Sequence, residues 1–191
     1  MGIGTLITLG VIVVVLVYGV TIYNSLVQIK HNVTKAWANI DVLLKQRHDE
    51  LPKLVETCKQ YMKFEQDTLT KVIEARSKVF SARESQNIPA LGGAETLLRG
   101  ALGNLFALAE SYPELKADQT FQQLQTRIST LENAIADRRE FYNVSVNVNN
   151  VRIEQFPDVI VARLLNFKEA QLLEFSEEEK KDVDVKQLFN S

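Results

Sequence analysis

Arg47, His48 and Asp49 follow one another in the sequence and come closest to a set of residues that could do acid–base chemistry. A histidine beside a carboxylate can transfer protons near neutral pH. Adjacent residues on a helix point in different directions, however, and no serine or cysteine has the setting of an activated nucleophile. We therefore interpret the three residues as helix-capping and ion-pairing groups, and we expect no enzymatic activity.

Metal chemistry is the second option, because a four-helix bundle can hold a carboxylate-bridged di-iron site. Such a site needs two Glu-x-x-His motifs and a glutamate on each of the other helices. The chain has two histidines, His31 and His48, and neither lies three residues after a glutamate. The single cysteine, Cys58, excludes a multi-cysteine metal site, and its place on an apolar stripe predicts a core residue. We expect neither a metal nor another cofactor.

The composition is that of a globular domain with an apolar anchor. The chain has 191 residues, of which 46% are hydrophobic and 24% charged, and its net charge is −2. This length leaves room for an anchor and one domain of about 150 residues. Basic residues are not clustered, so we expect no nucleic-acid partner. Eight glycines and four prolines favour long helices over turn-rich β structure.

Residues 3–23 form the anchor. These 21 residues carry no charge, and the first charged side chain is that of Lys30. As a helix they would be roughly 31 Å long, which matches the hydrocarbon core of a bilayer. A cleaved signal peptide is less well supported, because no basic stretch precedes the apolar run and no small-residue cleavage motif follows it. Lys30 and Lys35 lie just after the span, so the positive-inside rule places the following domain in the cytoplasm and the N-terminus outside.

Apolar periodicity after the anchor predicts a helical bundle. From Val33 to Tyr61, apolar or interface-like residues recur at spacings of three and four, which is typical of helix packing. The fold class is therefore all-α, with an N-terminal transmembrane helix continuous with an antiparallel up-and-down four-helix bundle. We divide the chain into an anchor at 1–23, a bundle at 24–170 and a mobile tail at 171–191.

Pro52 leaves two outcomes open for the first helix. An interior proline costs about 3 kcal/mol and favours a break before it. The chain could turn at residues 47–51, with Asp49 or Glu50 at the start of a new helix, or one long helix could kink at Pro52. The unbroken spacing supports the long helix, whereas the need for four helices supports the turn, and we favour the turn. We expect Trp37 and Leu44 to be buried.

Helix-breaking residues along the rest of the chain predict where the other helices begin and end. A helix to about residue 83 is followed by a loop at 85–93, and further helices are predicted at about 94–111 and 118–151. An asparagine cluster near residue 150 is unusual in a helix, and we favour fraying of the helix end over contacts with a partner. After Phe156-Pro157, a short apolar segment at 159–167 is expected to pack back on the bundle.

Short motifs in this order span most of the chain: Tyr23–Val27, Ala36–Val42, Leu44–Asp49, Leu51–Thr57, Tyr112–Ala117, Leu131–Ala136, Tyr142-Asn143 and Phe156-Pro157. They resemble the LemA family of bacterial membrane-anchored proteins. The resemblance implies one N-terminal membrane helix and an antiparallel four-helix bundle, and it implies no catalytic group. Phe64, Leu131 and Asn149 depart from the His, Thr and Tyr that are usual in the family.

These observations predict a non-enzymatic, single-pass protein of the bacterial inner membrane that presents an interaction surface to protein partners, self-association included. The alternative is membrane shaping or stress-linked remodelling by the bundle itself. Residues 3–23 would contact the lipid bilayer. The candidates for a structural junction or for interaction are Trp37, Asn39, Asp41, Lys45, Arg47, His48, Asp49, Pro52, Tyr112, Pro113, Tyr142, Asn143, Phe156 and Pro157.

Overall fold

The computed structural model describes residues 2–174. Within that range the chain forms six α-helices and no strand, which confirms the all-α prediction. The helices are α1 (Ile3–Tyr61), α2 (Gln66–Glu84), α3 (Ile88–Ala109), α4 (Pro113–Ala117), α5 (Gln119–Glu154) and α6 (Asp158–Leu164). Most of the predicted mobile tail lies at 175–191, outside the described residues.

The chain divides into two compact units. The anchor unit comprises Met1–Ile40 and Arg138–Leu172, and the bundle unit comprises Asp41–Asp137 and Leu173–Ser191. Both α1 and α5 contribute residues to each unit. We describe each unit by itself.

The bundle unit is built from four long helical segments, contributed by α1, α2, α3 and α5. The α1 and α2 segments are antiparallel, because Asp41 contacts Arg83 whereas His48, further along α1, contacts Arg76. Their apolar faces form the core that the periodicity predicts. Fully buried core residues include Leu44, Leu51, Leu54, Cys58, Val72, Leu91, Leu98, Leu105, Phe121 and Ile128.

The favoured turn at residues 47–51 is wrong, because α1 continues through Pro52 as one helix of 59 residues. A proline cannot donate a hydrogen bond to the carbonyl group four residues earlier, which here is that of His48. Arg76 of α2 supplies the missing donor, with its Nε 3.0 Å from the His48 carbonyl oxygen. Pro52 is also exposed, so its ring does not have to fit into the core. The chain breaks later, at residues 62–65, where a single helix had been predicted.

The predicted loop at 85–93 is also wrong in extent, because only residues 85–87 lie outside the helices. The side chain of Asn87 accepts a hydrogen bond of 3.1 Å from the backbone N–H of Ala90. Pro89 lies in the first turn, where its missing N–H has no partner to lose. Residues that suggested a loop therefore start a helix.

Gly92 lies inside α3 and has a packing role. A Cβ atom at this position would lie 2.7 Å from the carbonyl oxygen of Glu174, so only glycine lets the two backbones approach. Leu173, beside it, is buried. The chain near residue 174 is therefore held against α3 in the bundle unit.

The anchor unit contains the apolar part of α1. Among residues 2–174, α1 is the one helix long and apolar enough to cross a membrane. One buried cluster joins α1, α5 and α6, and it consists of Ile22, Leu26, Ile153 and Ala162. Val161 and Phe167 pack against that cluster, as predicted for the short segment after Phe156-Pro157. The peptide bond between Phe156 and Pro157 is cis.

The expected fraying of α5 at the asparagine cluster is wrong, because the helix continues to Glu154. Asn150 donates to the carbonyl oxygen of Ala170 and accepts from its backbone N–H, each at 2.9 Å. Asn149 donates to the carbonyl oxygen of Lys168 at 3.3 Å. These side chains bind a neighbouring backbone segment instead of competing for their own helix.

Candidate functional site

The most buried polar group of the bundle unit is the guanidinium of Arg47, whose residue is 1% exposed. It forms ion pairs with Glu95 of α3 and, at 2.5 Å, with Glu132 of α5. Arg99 lies 3.5 Å from the second carboxylate oxygen of Glu132. Two cations and two anions are thus held together by three helices, and we call them the Arg47 cluster.

The charges of the Arg47 cluster balance one another. Burial opposes the charge on Arg47, but the carboxylates of Glu95 and Glu132 outweigh that effect, so the pKa of the guanidinium is raised. An arginine that stays protonated cannot act as an acid or a base. The cluster therefore fixes how α1, α3 and α5 pair and has no evident reaction to perform.

His48 lies at a second polar contact of the bundle unit, outside the Arg47 cluster. Its ring stacks on Phe80 at 4.8 Å between centroids, and its Nε2 lies 2.6 Å from Nη2 of Arg76. Because a guanidinium only donates, Nε2 accepts and the imidazole is neutral. Burial, and then the charge of Arg76, lower the pKa of His48. Asp49 is exposed, so the structure does not assemble a buried His48–Asp49 pair.

The interpretation of Arg47, His48 and Asp49 as capping groups is wrong, because α1 does not end until Tyr61. The interpretation as an ion-pairing group is right for Arg47, which pairs with Glu95 and Glu132. Asp41 behaves similarly, since its two carboxylate oxygens accept from Arg83 at 2.6 and 2.9 Å.

Three other candidates on α1 are on its surface. Asn39, Lys45 and Pro52 are exposed. The bundle-unit residues of this group, Lys45 and Pro52, lie seven positions apart and so share one face of α1 with Asp49. This face is polar and is available to solvent.

Tyr112 and Pro113 lie where α3 gives way to α4. Pro113 is the first residue of α4, and the Tyr112 hydroxyl is 3.4 Å from a carboxylate oxygen of Glu65. After α4, the side chain of Asp118 accepts a hydrogen bond of 2.9 Å from the backbone N–H of Phe121. That bond is the main reason why the pKa of Asp118 is lowered. These residues shape helix ends.

Trp37 and Tyr142 meet in the anchor unit. Trp37 is half-buried, not buried as predicted, and its ring lies 5.8 Å from that of Tyr142 in an edge-on contact. The Tyr142 hydroxyl donates to the carbonyl oxygen of Gln171 at 2.9 Å. Asn143, the next residue, is half-buried.

The expectation that Leu44 is buried is confirmed, and this residue lies in the bundle unit.

An apolar stripe on α5 has no covering element among residues 2–174. Its members are about half exposed and follow one another at spacings of three, four and three: Phe141, Val144, Val148 and Val151. We call them the α5 stripe. Asp137 and Gln155 bound it at either end. Solitary exposed apolar residues are ordinary, whereas a contiguous row of them marks a candidate contact surface.

A second set of exposed apolar residues lies on α6 and just before it. Phe156 is 82% exposed, Ile160 58% and Leu164 80%. We call these three residues the α6 tip. Pro157, a candidate from the sequence, precedes the first turn of α6 and is half-buried.

The described residues offer little for catalysis. No group of three or more His, Cys, Asp or Glu side chains within 2–174 is placed to hold a metal ion. Cys58 is buried as predicted, and burial raises the pKa of its thiol to about 12. A thiol that stays protonated is a poor nucleophile.

Sequence reasoning missed the partners of Arg47 and the α5 stripe. The place of Arg47 on an apolar face is a visible signal, and so is Glu95 inside the apolar run of α3. Nothing local pairs them, because Glu95 lies 48 and Glu132 lies 85 residues further along the chain. The stripe could have been found from its own spacing on the predicted helix.

Comparison with known proteins gives consistent results. Residues 36–187 match the sequence model of the LemA family. A Protein LemA of Metamycoplasma hominis is 31% identical over 168 residues, which cover 87% of this chain and 75% of that protein. The magnetosome protein MamQ 2 of Paramagnetospirillum magneticum and MamQ of Magnetospirillum gryphiswaldense are each 24% identical, over 78% of this chain. The match spans 63% of each magnetosome protein, less than two thirds of its length.

Proposed function

Since the chain belongs to the LemA family and is a membrane-associated helical protein, we propose that it is a non-enzymatic, single-pass scaffold that associates through the α5 stripe. Residues 3–23 cross the bacterial inner membrane, with the N-terminus outside and the bundle in the cytoplasm, an orientation that Lys30 and Lys35 favour. The partner that we assign to the stripe is a second copy of the chain.

The spacing of the α5 stripe is the observation that carries this proposal. Steps of three, four and three residues bring apolar side chains to one seam of a helix, which is the pattern of a two-helix coiled coil. From Phe141 to Val151 the seam extends for about 15 Å at 1.5 Å per residue. Such a seam is short, but two chains in one membrane meet at a raised effective concentration.

Anchoring also selects the geometry of the pair. Two copies that cross the membrane in the same direction must present α5 in parallel, with a two-fold axis along the membrane normal. Across a parallel seam, Asn147 would face Arg152 of the second copy. The position opposite Glu140 is that of Ser145, which is buried in its own chain and uncharged, so no like charges oppose each other.

Disulfide trapping tests the pairing directly. Cys58→Ala removes the only native cysteine, and Val148→Cys then places one thiol on the seam. In a parallel pair the two residues at 148 would approach within about 6 Å, the Cα separation that a disulfide requires. We expect oxidation of native membranes to give a covalent dimer on a non-reducing gel.

Ser129→Cys in the same Cys58→Ala background is the matched control. Ser129 is exposed and also lies on α5, but it is outside the stripe. Trapping that is equally strong at both positions would indicate random collision. Equal trapping, or a monomer at Val148→Cys under conditions that oxidise free thiols, would contradict the proposal.

A further inference from the structure

The short helix α6 exposes two large aliphatic side chains and buries a carboxylate. Its buried residues are Asp158 and Ala162, whereas the large aliphatic residues Ile160 and Leu164 face outward. Surface helices in water normally bury the aliphatic side and expose the charge. The outward position of Ile160 and Leu164 suits a helix whose outer face meets hydrocarbon.

The position of α6 along α1 matches the edge of a bilayer. Ala162 shares a buried cluster with Ile22, and Ile22 lies one residue before the end of the apolar span at 3–23. Helix α5 contributes Ile153 to the same cluster. Phe156 comes three residues later, at the connection from α5 to α6. The α6 tip therefore lies beside the point where α1 leaves the membrane.

Residues suited to the headgroup region lie at the same level. The rings of Tyr23 and Phe167 meet edge-on at 6.2 Å. Beside them a cleft of about 800 Å³ is lined by Lys30 and Lys168, among other residues. Aromatic rings and lysines are enriched where a membrane protein meets the lipid headgroups, because their apolar parts and polar ends fit that boundary.

The charge that α6 buries is compensated. Asp158 is paired with Arg152, whose Nε lies 2.5 Å from a carboxylate oxygen. A neutral pair does not repel an anionic lipid surface as a free carboxylate would.

We propose that Phe156, Ile160 and Leu164 insert into the bilayer surface next to the membrane-spanning part of α1. The tip is then a second, monotopic membrane contact of the same chain. Its partner is the lipid hydrocarbon boundary, reached at the shallow depth typical of interfacial helices. This inference rests on residues 3–23 crossing the bilayer, but it does not depend on pairing through the α5 stripe.

Site-directed fluorescence tests the insertion on the full chain. In the Cys58→Ala background, Leu164→Cys is labelled with an environment-sensitive fluorophore and reconstituted into vesicles of phosphatidylethanolamine and phosphatidylglycerol. We expect a blue-shifted emission, strong quenching by lipids that carry a nitroxide on the upper acyl chain, and a loss of quenching by aqueous iodide. Leu164 is 80% exposed, so the substitution removes no core contact.

Two labelled variants make each outcome decisive. Val14→Cys, within the span, reports whether α1 has inserted, and Ser129→Cys reports a water-exposed site. If Val14→Cys is quenched by nitroxide lipid while Leu164→Cys behaves like Ser129→Cys, the tip stays in water and the inference is wrong. A Leu164 label protected from both quenchers would show that protein covers the tip, which also overturns it. Failure at Val14→Cys as well would instead contradict the membrane span.

Discussion

The bundle unit and the anchor unit both use α1 and α5, yet they arrange apolar side chains differently. In the bundle unit, the large apolar residues that remain exposed among the described positions are scattered over α1, α2, α3 and the connection at 62–65: Val42, Phe64, Ile73, Phe80 and Leu97. In the anchor unit, exposed apolar residues form contiguous sets, namely the apolar run of α1 at residues 3–23, the α5 stripe and the α6 tip. Isolated exposed residues need no explanation, whereas a contiguous set indicates a surface that meets something other than water.

The two units also use their buried polar side chains differently. In the bundle unit, the ion pairs of Arg47 with Glu95 and Glu132 lie between the helices, and Arg99 lies at the exposed edge of the cluster. In the anchor unit, polar side chains such as Asn150 instead hold an extended segment in place. The bundle unit is thus closed on itself, and the anchor unit leaves apolar surface for lipid or for another chain.

The largest expected effect comes from disrupting the Arg47 cluster of the bundle unit. Arg47→Met leaves the buried carboxylate of Glu95 without its cation, and such a change costs about 3–5 kcal/mol. We expect that loss in the free energy of unfolding, measured by urea denaturation of the full chain in detergent. Arg47→Met combined with Glu95→Leu removes both charges and should recover most of the loss.

Lys45→Met provides the control for this prediction. Lys45 is exposed on the same helix, so its replacement should change stability by no more than about 0.5 kcal/mol. An Arg47→Met variant as stable as Lys45→Met would mean that the cluster does not hold the bundle unit together.

A smaller effect is expected in the anchor unit. Asn150→Ala removes both hydrogen bonds to Ala170, which should cost about 1–3 kcal/mol. Because these bonds hold the segment after α6, we expect faster hydrogen exchange at residues 165–172. Arg138→Ala, at an exposed position of the same helix outside the α5 stripe, should leave the exchange unchanged. Unaltered exchange in Asn150→Ala would show that other contacts hold the segment.

The smallest expected effect is a pH dependence of the bundle unit at His48. Its folded pKa is lowered below the ordinary value of 6.5 by burial and by Arg76. The unfolded chain therefore binds more protons below pH 6.5, so stability is complete above that pH and falls as the pH drops towards the folded pKa. His48→Gln can still accept from Arg76 but does not titrate, and its unfolding free energy should fall less over this range. Parallel pH profiles for both proteins would contradict the assignment.

The all-α class and most helices could be predicted because they depend on local patterns. Apolar spacing marks the bundle faces of α1 and α5, and the uncharged run at residues 3–23 marks the candidate span. Phe156-Pro157 correctly marks the boundary between α5 and α6.

The wrong predictions concern positions where a residue far away in the sequence forms a hydrogen bond that the local sequence does not reveal. The proline rule predicts a break at Pro52, but it assumes that the carbonyl group of His48 stays unsatisfied. Arg76, 28 residues after His48, supplies that carbonyl with a donor and so removes the hydrogen-bonding part of the cost. The asparagines of α5 follow the same logic, because their partners lie 19 and 20 residues further on. Side-chain partners at such separations are set by tertiary packing, which local propensity does not encode.

The single buried cysteine has a consequence for the conditions that the folded chain tolerates. With one thiol, no intramolecular disulfide can form, and Cys58 is fully enclosed with its pKa raised to about 12. Oxidants act on exposed thiolates, and this group is neither exposed nor ionised near neutral pH. Once folded, the bundle unit therefore protects this thiol from oxidation in an oxidising as well as in a reducing compartment.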